Sequence, residues 1–105
     1  MSLLKIKPGA QVPRTLIIAA AVVNAANSLD LDQDMVITSG NDSTHKTGSK
    51  HYTDAALDFR TKHLTATQKR ALAATVKQRL GESYDVILEA FGGVNEHLHV
   101  EYDPT

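Results

Sequence analysis

Two histidines, His97 and His99, stand one residue apart near the end of the chain, and His51 and Asp58 precede them by about forty residues. Imidazole nitrogen and carboxylate oxygen are both ligands for zinc, and a catalytic zinc site has three protein ligands and a position left for water. These residue types therefore predict a site that activates water for hydrolysis. The alternative is that His97 and His99 are ordinary polar residues on the protein surface.

The composition limits the class of protein. The chain has 105 residues, 42% hydrophobic and 22% charged, with a formal net charge of −1, which is typical of one globular domain spanning residues 1–105. The near-neutral charge argues against a nucleic-acid partner. There is no cysteine, so any metal must be held by nitrogen and oxygen ligands, and the five histidines supply the nitrogen.

Residues 14–28 are apolar on nearly every side and follow Pro13, which predicts a buried first helix. The basic residues Lys5, Lys7 and Arg14 before this apolar run imitate a secretory signal, but we favour the helix, because removing it would take the main apolar element from the domain. The run is also too short to cross a bilayer. We therefore expect no signal peptide and no membrane insertion.

The rest of the chain predicts one more helix and a small sheet. Thr65 and Gln68 form a capping-box pattern that opens a second helix over residues 66–80, which Gly81 ends. β-rich runs predict strands at residues 35–38, 55–60, 84–89 and 96–102, the last two joined as a hairpin at residues 92–93. The fold class is thus α+β, with two main helices packed on a small antiparallel sheet.

Alternation along the strands assigns two faces. The positions expected to face the core are Leu57, Phe59, Leu98, Val100 and Tyr102. Those expected on the opposite face are Asp58, Arg60, His97, His99 and Glu101. Glu101 could there hydrogen-bond a ligand imidazole or be an exposed strand carboxylate.

Two short segments resemble a known family. Residues 49–58, Ser-Lys-His-Tyr-Thr-Asp-Ala-Ala-Leu-Asp, resemble the motif Ser-x-His-x-x-Gly-x-Ala-x-Asp of the D-alanyl-D-alanine zinc metallopeptidases. Residues 96–99, Glu-His-Leu-His, fit that family's Glu-x-x-His and His-x-His signatures. The family includes bacterial carboxypeptidases and dipeptidases and some phage endolysins, and it shares its fold with the signalling domain of hedgehog proteins. The resemblance extends over residues 36–103.

The resemblance implies roles for the matching residues. His51, Asp58 and His99 would be the ligands of one zinc ion, and Glu96 would be the general base. Strict alternation places Glu96 on the face opposite His99, whereas His97 shares that face, so His97 is the second candidate for the base. His97 would otherwise orient water or stabilise the developing oxyanion. Ser49 would hydrogen-bond a substrate carboxylate.

The sequence departs from the family pattern at two places. Asp54 stands where the family has glycine, and Asn41-Asp42 follow Ser39-Gly40 where the family has an arginine that polarises the scissile carbonyl. Arg60 and Lys50 are the candidate replacements for that arginine; the alternative is that both are surface charges.

The resemblance implies a zinc peptidase that hydrolyses peptide bonds of peptidoglycan stem peptides, often next to a D-amino acid. Synthesis in the cytoplasm, with release to the cell wall by a phage-type lysis route, would suit that activity. The alternative is a catalytically silent zinc-binding module on the same fold, which the missing arginine and Asp54 favour.

Overall fold

The computed structural model describes residues 3–31, 33–40 and 56–104. It confirms an α+β fold of two helices and one four-stranded antiparallel sheet. In chain order the elements are α1 (Arg14–Ser28), β1 (Ile37–Ser39), β2 (Ala56–Arg60), α2 (Ala66–Leu80), β3 (Tyr84–Glu89) and β4 (His97–Tyr102). Both helices have the predicted bounds, and β1 begins two residues later than predicted.

Helix α1 is held by packing, since it has no side-chain cap and no charge suited to its macrodipole in either terminal turn. Pro13 precedes it in an extended conformation. Ile18, Val22 and Ala25 are completely buried in the core, as the apolar run predicted. In the described parts of the chain, neither helix is both long enough and apolar enough to span a bilayer.

Helix α2 begins with the predicted capping box. The Thr65 hydroxyl accepts a hydrogen bond from the Gln68 backbone N–H at 3.1 Å, and the Gln68 side-chain oxygen accepts one from the Thr65 N–H at 2.9 Å. Leu72 and Val76 are fully buried against the sheet and α1. The helix ends at Gly81, whose φ of 89° lies in the left-handed region that glycine occupies without strain.

The strand order is β1-β2-β4-β3, so β4, the last strand in sequence, lies between β2 and β3. On one face of the sheet Phe59, Leu98 and Val100 are buried in the core with the helices. The opposite face is polar, and the register determines which of its side chains meet. Asp58 of β2 pairs with His99 of β4.

Candidate metal centre

The structure brings two of the three predicted zinc ligands together. Asp58 and His99 are cross-strand partners, and Asp58 Oδ1 lies 2.7 Å from His99 Nδ1. Both side chains are only about a quarter exposed, at 25% and 22%. The third predicted ligand, His51, and the predicted substrate residue Ser49 lie outside the described residues, so their roles stay predictions.

A further carboxylate joins this pair from the neighbouring strand. Glu89 ends β3 opposite His97, and its Oε1 lies 3.9 Å from His99 Nδ1. One ligand atom each from Asp58, Glu89 and His99 lies within 4.8 Å of the others. One imidazole and two carboxylates form a donor set that suits zinc. The three residues, hereafter the Asp58–Glu89–His99 cluster, can therefore hold a divalent cation.

Glu89 was not among the residues predicted from the sequence, although the signal for it was present. Residues 84–89 and 96–102 were predicted to form a hairpin, and that hairpin places Glu89 opposite His97. Side chains directly opposite each other in an antiparallel pair share a face. Extending the alternation from β4 to β3 would thus have placed Glu89 beside both histidines.

Glu101 completes the surroundings of His99. Its Oε1 lies 2.7 Å from His99 Nε2, on the far side of the ring from Asp58. A carboxylate on the second nitrogen fixes the ring of a metal-ligating histidine and increases its basicity. Burial alone would lower the pKa of His99, but the hydrogen bonds to Glu101 and Asp58 and the nearby negative charges raise it above its usual value.

His97 lies between the other polar groups of this face. Its Nδ1 is 2.7 Å from the Asn95 carbonyl oxygen, and its Nε2 is 2.9 Å from Glu89 Oε1 and 3.8 Å from Asp58 Oδ2. Partial burial would lower the pKa of His97, but the hydrogen bonds to Asn95 and Glu89 outweigh it and raise that pKa. Because both ring nitrogens face acceptors, the protonated imidazole satisfies every contact. It can fix Glu89 in place.

Glu96 is in a different environment. It is only 5% exposed, and its carboxylate accepts hydrogen bonds from Lys69 Nζ at 2.7 Å, Thr61 Oγ1 at 2.6 Å and the Gly92 N–H at 3.0 Å. The bonds from Lys69 and Thr61 lower the pKa of Glu96 to about 2, against the opposing effect of burial. Such a carboxylate is a weak base near neutral pH.

These contacts tie the β3–β4 turn and the end of β2 to helix α2. Glu96 precedes β4 and is absent from the Asp58–Glu89–His99 cluster. The predicted role of Glu96 as general base thus stays a prediction, and its contacts do not favour that role. Alternation along the strand also places Glu96 on the face opposite His99.

Arg60, the remaining predicted substrate residue, lies on β2 opposite His97. Its side chain is exposed and lines a surface pocket of about 360 Å³ together with Lys62 and His97. Its position beside His97 allows contact with a substrate, and its role in binding stays a prediction.

Comparison with known proteins adds no further assignment: no protein-family model, no curated protein and no solved structure matches the chain. The chemistry must therefore be inferred from the motif residues and from the site itself. In that site, ligand atoms of Asp58, Glu89 and His99 lie close enough together to coordinate one ion. Glu101 contacts the second ring nitrogen of His99, and His97 contacts Glu89.

Proposed function

We propose that the chain is a zinc-dependent peptidase domain of the hedgehog/DD-peptidase type, acting on peptide bonds of peptidoglycan stem peptides next to a D-amino acid. The observation that carries the proposal is the contact between Asp58 and His99, one from each motif, at 2.7 Å. The α+β fold is compatible with this family, and the motif resemblance supplies the substrate class. Release to the cell wall by a phage-type lysis route belongs to the same proposal.

The residues present fit a zinc ion. Asp58 and His99 would hold it, with the predicted ligand His51, and Glu101 would keep the His99 ring oriented through Nε2. Zinc bound there would lower the pKa of water towards about 7 and polarise the scissile carbonyl. If Glu89 also bound the zinc as a fourth protein ligand, no position would be left for water. The site is therefore catalytic only if Glu89 is not a zinc ligand.

We assign Glu89 as the general base in preference to Glu96. The Glu89 side chain is 46% exposed at the edge of the cluster, where a carboxylate oxygen can accept a proton from the attacking water and pass it to the leaving amine. The Glu96 carboxylate instead has three internal donors. The protonated form of His97 donates from Nε2 to Glu89 Oε1 at 2.9 Å, and the same nitrogen lies 3.8 Å from Asp58 Oδ2.

The test is hydrolysis of purified peptidoglycan by the zinc-loaded protein, with released stem-peptide fragments identified by mass spectrometry. The parent should release fragments, and Glu89→Gln should keep its zinc but lose about 10²- to 10⁴-fold in kcat. Glu82→Gln, an exposed carboxylate change outside the site, is the matched control.

Two results would overturn these assignments. A parent that binds zinc and releases nothing would support the silent zinc-binding module instead. A folded Glu96→Gln variant that loses turnover, alongside an active Glu89→Gln, would return the base to Glu96.

A further inference from the structure

Helix α1 has apolar surface on its outer side as well as on the side that faces the core. No charged residue follows Arg14 in this helix. Leu16 and Val23, which are 38% and 39% exposed, stand about two turns apart and so form one stripe along the outer side. A helix that is apolar on nearly every side is normally buried on nearly every side. The stripe of Leu16 and Val23 therefore indicates a surface for a partner.

An apolar groove borders this stripe. It has a volume of about 590 Å³ and lies between α1 and the segment that leads into β1. Val23 belongs to its wall together with Val36 and Ile37, and all three side chains are exposed. Asp34 also lines the groove and is exposed. A binding partner for this groove should thus combine apolar groups with a positive charge.

The segment before α1, residues 3–12, hereafter the arm, has both properties. The side chain of Asn24 holds the arm against α1, because its Oδ1 accepts a hydrogen bond from the Leu4 N–H at 2.8 Å and its Nδ2 donates one to the Leu4 carbonyl oxygen. Leu3 and Leu4 are exposed, and so is Lys5, which follows them. Two apolar side chains and a cation thus stand beside the stripe.

The groove and the arm can face each other in a symmetric dimer. Asn24 beneath the arm and Ala26 in the groove lie on opposite sides of Val23 around the helix. In a dimer with one two-fold axis, the same surface patch of both copies forms the interface. An axis along the stripe packs the two stripes together and places the arm of each copy against the groove of the other. Lys5 of one copy then faces Asp34 of the other.

We propose that the stripe, the groove and the arm form the interface of a homodimer. The groove takes the arm of a second copy, with Leu3 and Leu4 against its apolar wall and Lys5 paired with Asp34. Charge complementarity favours a second copy as the partner, since this chain has both the acidic groove and the basic, apolar arm. The interface goes beyond the proposed peptidase function and does not depend on it.

Sedimentation equilibrium over a range of protein concentrations tests the dimer. The parent should reach twice the mass of one chain. Val23→Lys should weaken dimerisation about 100-fold or more, because it brings two like charges together at the two-fold axis. Ile87→Lys, which changes an exposed apolar residue of β3 outside the interface, is the matched control and should dimerise like the parent. Circular dichroism confirms that each variant is folded.

The charge pair has its own test. Lys5→Glu should weaken the dimer about tenfold, and adding Asp34→Lys to it should restore the parent's affinity, because the pair is then reversed. A double variant that dimerises no more tightly than Lys5→Glu alone would overturn the inference, as would a folded Val23→Lys variant that is as dimeric as the parent.

A parent that stays monomeric up to about 1 mM would also overturn it. If that monomer sediments with vesicles of anionic phospholipid, the apolar stripe is a membrane-contact surface instead. Neither measurement uses turnover, so a dimer that cleaves no peptidoglycan would refute the peptidase function and leave the interface standing.

Discussion

Asp58 and His99 are 41 residues apart in sequence, yet Asp58 Oδ1 and His99 Nδ1 are 2.7 Å apart across the β2–β4 pair. The contact depends on the register, because a shift by one residue would turn one of the two side chains to the core face. Leu57 and Leu98 are buried on that core face and fix the register. The hydrophobic core thus positions the polar pair.

The carboxylate of Glu101, which contacts His99 Nε2, should increase the affinity of the site for metal. Glu101→Gln removes the charge that faces His99 Nε2, and losing such a partner typically lowers metal affinity about 10- to 100-fold. Competition with a fluorescent zinc chelator measures the change, with Glu82→Gln as control. Unchanged zinc affinity in Glu101→Gln would show that the contact has no role in metal binding.

Glu96 should contribute to stability in a pH-dependent way. Its pKa is lowered from 4.5 to about 2 in the folded protein, so its stabilisation is fully present above about pH 4.5 and is lost as the pH falls towards 2. Glu96→Gln should lower the free energy of unfolding near neutral pH by about 2–3 kcal/mol, because Lys69 loses its buried partner. Urea unfolding across the acidic range measures both effects.

The Glu96→Gln variant should also lose less stability than the parent as the pH becomes acidic, because it has no carboxylate to protonate at this position. Glu82→Gln, which changes an exposed carboxylate, should unfold like the parent throughout. If Glu96→Gln and the parent lose stability in parallel as the pH falls, the ion pair with Lys69 does not have the energetic role assigned to it.

The capping box should account for part of the stability of α2. Thr65→Ala removes the acceptor for the Gln68 N–H and should lower the free energy of unfolding by about 1 kcal/mol. Thr67→Ala, in the first turn of the same helix, changes an exposed threonine without touching the cap. Chemical denaturation of both variants is the measurement, and equal destabilisation of the two would contradict the role of the cap.

Local signals predicted the helices and strands well. Thr65, Gln68 and Gly81 mark the ends of α2 in the sequence itself, and alternation in residues 97–102 correctly separated the core face from the polar face. These features depend on neighbours within a few residues. Helix ends and strand faces can therefore be predicted from one sequence alone.

The partners of the site residues were harder to predict because they come from distant elements. The order β1-β2-β4-β3, which places Asp58 beside His99, is a property of the whole sheet. Glu96 is bound by Thr61 and Lys69, which are 35 and 27 residues away, and no local pattern indicates that these side chains converge. Glu89 was missed although local alternation within the predicted β3 strand would have put it on the face of the histidines, opposite His97 in the structure.

The central claim is that Asp58 and His99 bind a metal ion, and zinc stoichiometry tests this directly. Isothermal titration of the metal-free protein, checked by elemental analysis after dialysis, should give one zinc ion per chain. Asp58→Asn and His99→Gln should abolish that binding, while Glu82→Gln should keep it. A parent that binds no zinc, or an Asp58→Asn variant that binds it as tightly as the parent, would contradict the proposed metal centre.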